Sequence, residues 1–96
     1  MPIISVTRFQ ADPADADQVR ARHAALVSAA RARLSGLTEA RLGRLDDETW
    51  VGVWRWDSAA GLQAARQTLR GTDAGAAAFA VVREVTAEDI EVLDEL

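Results

Sequence analysis

Trp50-Val51-Gly52-Val53-Trp54-Arg55-Trp56-Asp57-Ser58 is the densest structural signal in this chain. Successive residues of a strand point to opposite faces, so Trp50, Gly52, Trp54 and Trp56 share one face and Val51, Val53 and Arg55 the other. An antiparallel sheet with one wet face would alternate apolar and polar residues more cleanly. The spacing therefore predicts a strand over Thr49 to Asp57 with cover on both sides. Ser58 follows at once as a good N-cap, and a helix is expected to about Arg70 with Leu62, Ala65 and Leu69 on its inner face.

Upstream, Leu37 to Leu45 reads as the strand that pairs with this one, joined to it by the polar turn Asp46-Asp47-Glu48. Before it, Asp12-Pro13 is a helix start, an N-cap followed by proline at the first helical position. That helix is expected to reach about Leu34, with Gly36 as its stop. Val19, His23, Leu26, Val27, Ala30 and Leu34 recur at helical spacing along one face. Ile3 to Phe9 is a β-rich run and makes strand one, with apolar residues on both parities. Downstream, Gly71-Thr72 breaks the second helix, and Asp73 to about Ala80 makes a short helix carrying Phe79. Val81 to Thr86 is strand four, and Ile90 to Leu93 either extends it or adds a fifth. The order β-α-β-β-α-β is the ferredoxin-like arrangement, an α+β fold with helices on one face of an antiparallel sheet. Val51, Val53 and their neighbours then form an apolar patch on the other face, which marks an interface. A second copy related by a two-fold axis is the simplest cover.

Ninety-six residues make one domain, residues 1–96, and a chain this short buries only roughly 60–65% of the surface exposed on unfolding. At 49% hydrophobic it can build a packed core. A net charge of −4 argues against a nucleic-acid partner, which calls for a basic face. The acids gather in Asp12 to Asp17 and Glu84 to Glu95 while the middle holds most of the arginines, so an anionic small molecule can still find a local positive site. The absence of Cys excludes disulfides and thiolate metal sites, and a single His cannot build a multi-histidine site. No apolar run reaches the about 20 residues that cross a bilayer. No signal peptide is read, and the expected location is cytoplasmic. Lys, Tyr and Asn are also absent, which excludes a lysine Schiff base and any role for a phenol or an Asn amide.

The segment Trp50 to Ser58 is similar to the third strand of the antibiotic biosynthesis monooxygenase family, where the strand ends in Trp, an acidic residue and Ser before the second helix. Trp56, Asp57 and Ser58 match those positions. The element order, the chain length and the short helix before the last strand fit as well. The resemblance implies a homodimer whose sheets close into an α/β barrel, with a pocket in each subunit between the sheet and its two helices. Some members oxygenate aromatic polyketide intermediates without metal or flavin; a related branch degrades haem. Thr7 stands where several members place Asn, and Ala65, beside Arg66, stands where many carry His. The haem branch needs a His ligand there, so haem is disfavoured and no cofactor is expected. The Tyr used by some polyketide-tailoring members has no counterpart.

The candidate site follows from both readings. Trp56 resembles the family's pocket tryptophan; an indole offers a flat apolar wall and one N–H donor, which suits a planar aromatic ligand. Trp50 and Trp54 share its face and Gly52 leaves room between them, although packing in the core explains these two as well. His23, on the apolar stripe of the first helix, is the only group whose ordinary pKa lies near neutrality and is the candidate general base. Thr7 or an arginine would hold a developing oxyanion. Arg66 borders the apolar stripe of the second helix and can reach a pocket mouth, and Phe79 is a pocket lid or plain core. Arg8 and Arg83 are better read as surface ion pairs than as pocket charges. The acidic tail Glu88 to Glu95 reads as an edge strand, whose charges discourage aggregation. Tautomerases use an N-terminal proline amine, which Met1-Pro2 offers only once Met1 is removed. The leading expectation is a cofactor-independent monooxygenase acting on a small planar aromatic or polyketide-like molecule. The alternatives are a cyclase or isomerase on the same scaffold and a non-catalytic, ligand-binding or stress-related dimeric barrel.

Overall fold

The computed structural model describes residues 1–96. β1 (Ile3–Gln10) leads through a 3-10 turn at Pro13–Asp15 into α1 (Ala16–Arg33), then come β2 (Leu37–Arg44), β3 (Thr49–Trp56), α2 (Ala59–Leu69), α3 (Asp73–Ala80) and β4 (Arg83–Glu91). The sheet order is β2-β3-β1-β4, with every pairing antiparallel. This is the expected α+β ferredoxin-like arrangement.

Local chemistry accounts for the element ends. Asp12 Oδ1 accepts from the Ala14 N–H at 2.8 Å, with Pro13 pre-set for the first turn. Ser58 Oγ accepts from the Gly61 N–H at 3.1 Å at the start of α2, and Thr72 Oγ1 accepts from the Gly75 N–H at 3.0 Å at the start of α3. In the β2–β3 turn Asp46 Oδ1 accepts from the N–H groups of Glu48 and Thr49 at 2.9 and 2.8 Å, which holds its carboxyl below the usual range. Gly36 ends the first crossover at φ 103°, and a Cβ there would lie 2.5 Å from Asp57 Oδ1. Its position therefore needs glycine twice over, for conformation and for space.

The expected final segment needs one correction. Val81 and Val82 do not start the strand; they turn out of α3 and pack against the cluster around Trp50. Ile90 extends β4, and no fifth strand forms. β4 pairs on one side only, so the acidic run is an edge strand as far as Glu91; Val92 to Glu95, expected to continue it, lie beyond the strand. A bulge interrupts its pairing, with Phe9 alone on β1 facing Glu84 and Val85 on β4. Glu84 takes φ 53°, a left-handed conformation uncommon outside glycine.

Two core clusters lie between the sheet and the helices. Phe9, Ala11, Val19 and Trp50 make one; Ala30, Trp56, Leu62 and Ala65 make the other. Trp56 is only 1% exposed. No helix is long and apolar enough to cross a membrane.

Candidate functional site: a cavity between two aromatic rows

Side-chain size along the helix-facing side of the sheet creates a hollow. One row across the strands holds Trp50 beside Phe9, with parallel rings 6.4 Å apart between centroids. Three same-face pairs along, Trp56 lies beside Ile3. Between them the row across β3, β1 and β4 is Gly52, Thr7 and Ala87, and the next is Trp54, Ser5 and Asp89. Large side chains hold the helices off the sheet at either end, and the small middle row leaves the gap unfilled. The result is a cavity of about 370 Å³, lined mostly by apolar side chains. Its far wall is one stripe of α2, residues Leu62, Ala65, Arg66 and Leu69, continued by its C-cap Arg70, at i, i+3, i+4, i+7 and i+8. His23 and Leu26 of α1 and Phe79 near the end of α3 complete it.

His23 lies over Gly52, where an added Cβ would come within 3.9 Å of its Nε2. The Trp54 indole N–H donates to that Nε2 at 3.0 Å, with the two rings edge-on at 77°. Indole N–H is only a donor, so Nε2 must be unprotonated and the neutral ring carries its proton on Nδ1. Burial pushes the His23 pKa below its ordinary value. The arrangement is a neutral imidazole whose basic lone pair is directed by an indole and lies beside open space.

Arg66 spans from α2 to the edge strand. Its guanidinium donates to both oxygens of Asp89, at 2.7 and 2.5 Å. These bonds hold the Asp89 carboxyl below the usual range and raise Arg66 further. Phe79 is 55% exposed at the rim, so it is neither plain core nor a closed lid. Arg22 of α1 donates to the Ala77 carbonyl at 2.9 Å and ties α3 down.

The structure thus brings together Thr7, His23, Trp54, Trp56, Arg66 and Phe79. It does not bring Trp50. That side chain, expected among the binding residues, is buried against Phe9, with the Arg44 guanidinium 5.1 Å from its ring centre. The shared strand parity was right; Phe9 takes up the space between Trp50 and the hollow. Trp54, which like Trp50 was a binding candidate with core packing as the other reading, lines the cavity and holds His23. Both buried indole N–H groups, of Trp50 and Trp56, lack a partner. Arg8 lies on the sheet's opposite face, opposite Val51, and Arg83 pairs with Glu48 at 3.7 Å on the surface. Pro2 is not among the lining residues. No group of three or more His, Asp or Glu side chains is placed to hold a metal ion.

Several lining residues were not anticipated: Ser5, Leu26, Arg70, Val82, Val85 and Ala87. Ser5 and Leu26 were available from parity and helical spacing, since they share faces with Thr7 and His23. Val85 was not, because the bulge at Glu84 shifts its parity.

The model of the family described as antibiotic biosynthesis monooxygenase matches residues 2–78. The chain belongs to the antibiotic biosynthesis monooxygenase family. Solved structures agree on the fold. A candidate family member from Caulobacter crescentus superposes with a TM-score of 0.79 at 20% identity, covering 97% of this chain and 91% of its own. SnoaB, a cofactor-independent oxygenase from Streptomyces nogalater, gives 0.73 at 22%, covering 99% and 96%. Rv0793 from Mycobacterium tuberculosis gives 0.69 at 23%, covering 99% and 98%. At these identities the likeness is one of fold. No curated protein matches the sequence significantly.

Proposed function

We propose that this family member is a small cofactor-independent monooxygenase for a planar aromatic or polyketide-like molecule. One observation carries the reading: a neutral, partly buried imidazole, oriented by Trp54, opens onto an apolar cavity of about 370 Å³ floored by Gly52 and Thr7. A planar hydroxylated ligand would lie in the hollow against Trp54 and Trp56. Its phenolic or enolic O–H, a stronger donor than indole, would displace the Trp54 N–H and give its proton to His23 Nε2. The electron pair left behind is delocalised to a ring carbon, and that carbanion is electron-rich enough to reduce O2. A C–O bond forms, the proton returns to give a hydroperoxide, and loss of water leaves a carbonyl. Thr7 would donate to the developing oxyanion. The protein's part is a dry site, a correctly oriented base and one donor.

We read residues 1–96 as a single domain acting as a cytoplasmic homodimer. Ile4, Val6, Val51 and Val53 lie on the sheet face away from the helices, and a second copy would cover them.

A second reading is favoured by a specific observation: the His23 lone pair is already occupied by Trp54. A barrel that only binds its ligand would leave that bond intact. Tryptophan quenching by hydroxyanthrones, with dissolved oxygen followed in the same sample, separates the two. Oxygen loss that disappears in His23→Ala while quenching persists supports the oxygenase. Quenching without oxygen loss, unchanged in His23→Ala, supports the binder. Quenching without oxygen loss but with isomerised product, lost in His23→Ala, supports a cyclase or isomerase on the same scaffold.

A further inference from the structure

The charges around the cavity are lopsided. Three of its lining residues are ionisable: His23, Arg66 and Arg70. None is an acid. His23 is held neutral by burial and by the Trp54 bond, so it contributes no charge near pH 7.5. The two arginines are four residues apart, Arg66 in the last turn of α2 and Arg70 its C-cap in helical conformation, and therefore on one side of the helix. They are not equivalent. Arg66 is satisfied by both oxygens of Asp89. Arg70 makes no ion pair and no side-chain hydrogen bond, although it lines the same hollow. The strand offers it nothing: from Asp89 back along β4, the next residues on that face are Ala87 and Val85. Leu69, its neighbour on the helix, also faces the hollow.

Of the two arginines at the cavity, Arg70 alone has no carboxylate partner, and it is exposed at the mouth. We infer that Arg70 is a specificity residue for an anionic substituent, so that the ligand class is a planar arene carrying a carboxylate at the end nearest α2's C-terminus. This deepens, and rests on, the reading of the cavity as a site for planar molecules. The geometry gives each part of such a ligand a match. The ring system meets Trp54, Trp56 and Leu62, the small row of Gly52 and Thr7 gives it depth, and the carboxylate meets a planar donor fork at the mouth. Arg66, being engaged, fixes the helix against the edge strand and leaves Arg70 as the available cation.

The test uses 2-naphthoate and its neutral isostere 2-naphthamide, each titrated calorimetrically against the wild-type protein and Arg70→Gln at pH 7.5. The wild type is expected to bind the naphthoate about five-fold more tightly than the amide, the effect of one exposed charge pair. The preference shrinks as salt is raised. In Arg70→Gln the naphthoate loses its advantage and the two ligands bind alike. Equal binding of both by the wild type, or a preference that survives in Arg70→Gln, overturns the assignment of Arg70 while leaving the planar-ligand cavity standing. Failure of both compounds to bind the wild type overturns the cavity reading and this one with it. Circular dichroism on the variant guards against loss of fold, and Arg70→Lys, which keeps the charge, should retain most of the preference.

Discussion

The two faces of the sheet are built from alternate residues of the same strands, and they solve different problems. Toward the helices, β3 and β1 present Trp50 and Phe9, then Gly52 and Thr7, then Trp54 and Ser5, then Trp56 and Ile3. Size varies sharply along that face, and a hollow opens where it is smallest. Away from the helices the same strands present Val51 and Arg8, Val53 and Val6, Arg55 and Ile4. The apolar residues there, Val51, Val53, Val6 and Ile4, are close in size, and they are bordered by Arg8, Arg41, Arg55, Glu39 and Glu88. The uneven side holds the cavity proposed to take a small molecule; the other is the face proposed to meet a second copy. Arg55 is already engaged at that border, donating to Glu95 at 2.7 Å and to Thr38 at 2.8 Å.

The largest effect is expected of Val53→Asp. Val53 pairs with Val6 at the middle of the open face. A carboxylate buried there against a second copy would cost several kcal/mol, offset in part by Arg41, the register partner of Val53 on β2. Sedimentation velocity should show the wild type as a dimer and the variant as a monomer; an unchanged mass would mean that the open face is not the interface. The helix side is broken by Trp56→Ala. Trp56 is fully buried between Ala30, Leu62 and Ala65, so truncation should lower unfolding free energy by about 3–5 kcal/mol in urea titrations. A loss under about 1 kcal/mol would mean that the helices are not propped on this ring.

Much of this was legible because it rests on local rules. Asp12-Pro13, Ser58 and Gly36 act where capping chemistry and a positive φ require them, and strand parity put Trp54 and Trp56 on one common face. The illegible parts are non-local. Which tryptophan faces the hollow depends on what stands across from it: Trp50 meets Phe9, whereas Trp54 meets Ser5. Parity cannot see that difference, and size pairing between strands can only be read once the register is known. The Arg66–Asp89 clasp joins residues 23 apart, and the bulge at Glu84 that turns Val85 inward carries no glycine to announce it.

A smaller effect sharpens the comparison from the helix side. The folded-state pKa of His23 lies below its ordinary value of about 6.5. Above that pH neither the folded nor the unfolded chain protonates the ring, and stability is indifferent to it. As pH falls below about 6.5, the unfolded chain takes up a proton that the folded chain refuses, so stability falls until the folded-state pKa is passed. Urea midpoints between pH 7.5 and 5 should decline, and the decline should flatten in His23→Gln. An equal decline in both would mean that the ring is not buried against Trp54.

The smallest effect separates two tryptophans on one face. Trp50 and Trp54 differ in what their indole N–H does: that of Trp50 is buried without a partner, and that of Trp54 donates to His23. Burying an unsatisfied donor is unfavourable, and Phe in its place would remove that penalty while leaving a smaller void. Trp50→Phe should therefore change stability by no more than about 0.5 kcal/mol, the two terms opposing each other. Trp54→Phe removes a made bond and strips the neutral imidazole of the donor that favours it. The His23 pKa, followed by the imidazole proton resonances, should rise in Trp54→Phe and stay put in Trp50→Phe. If both variants move His23 equally, the division of this face into a packed row and a working row would not hold.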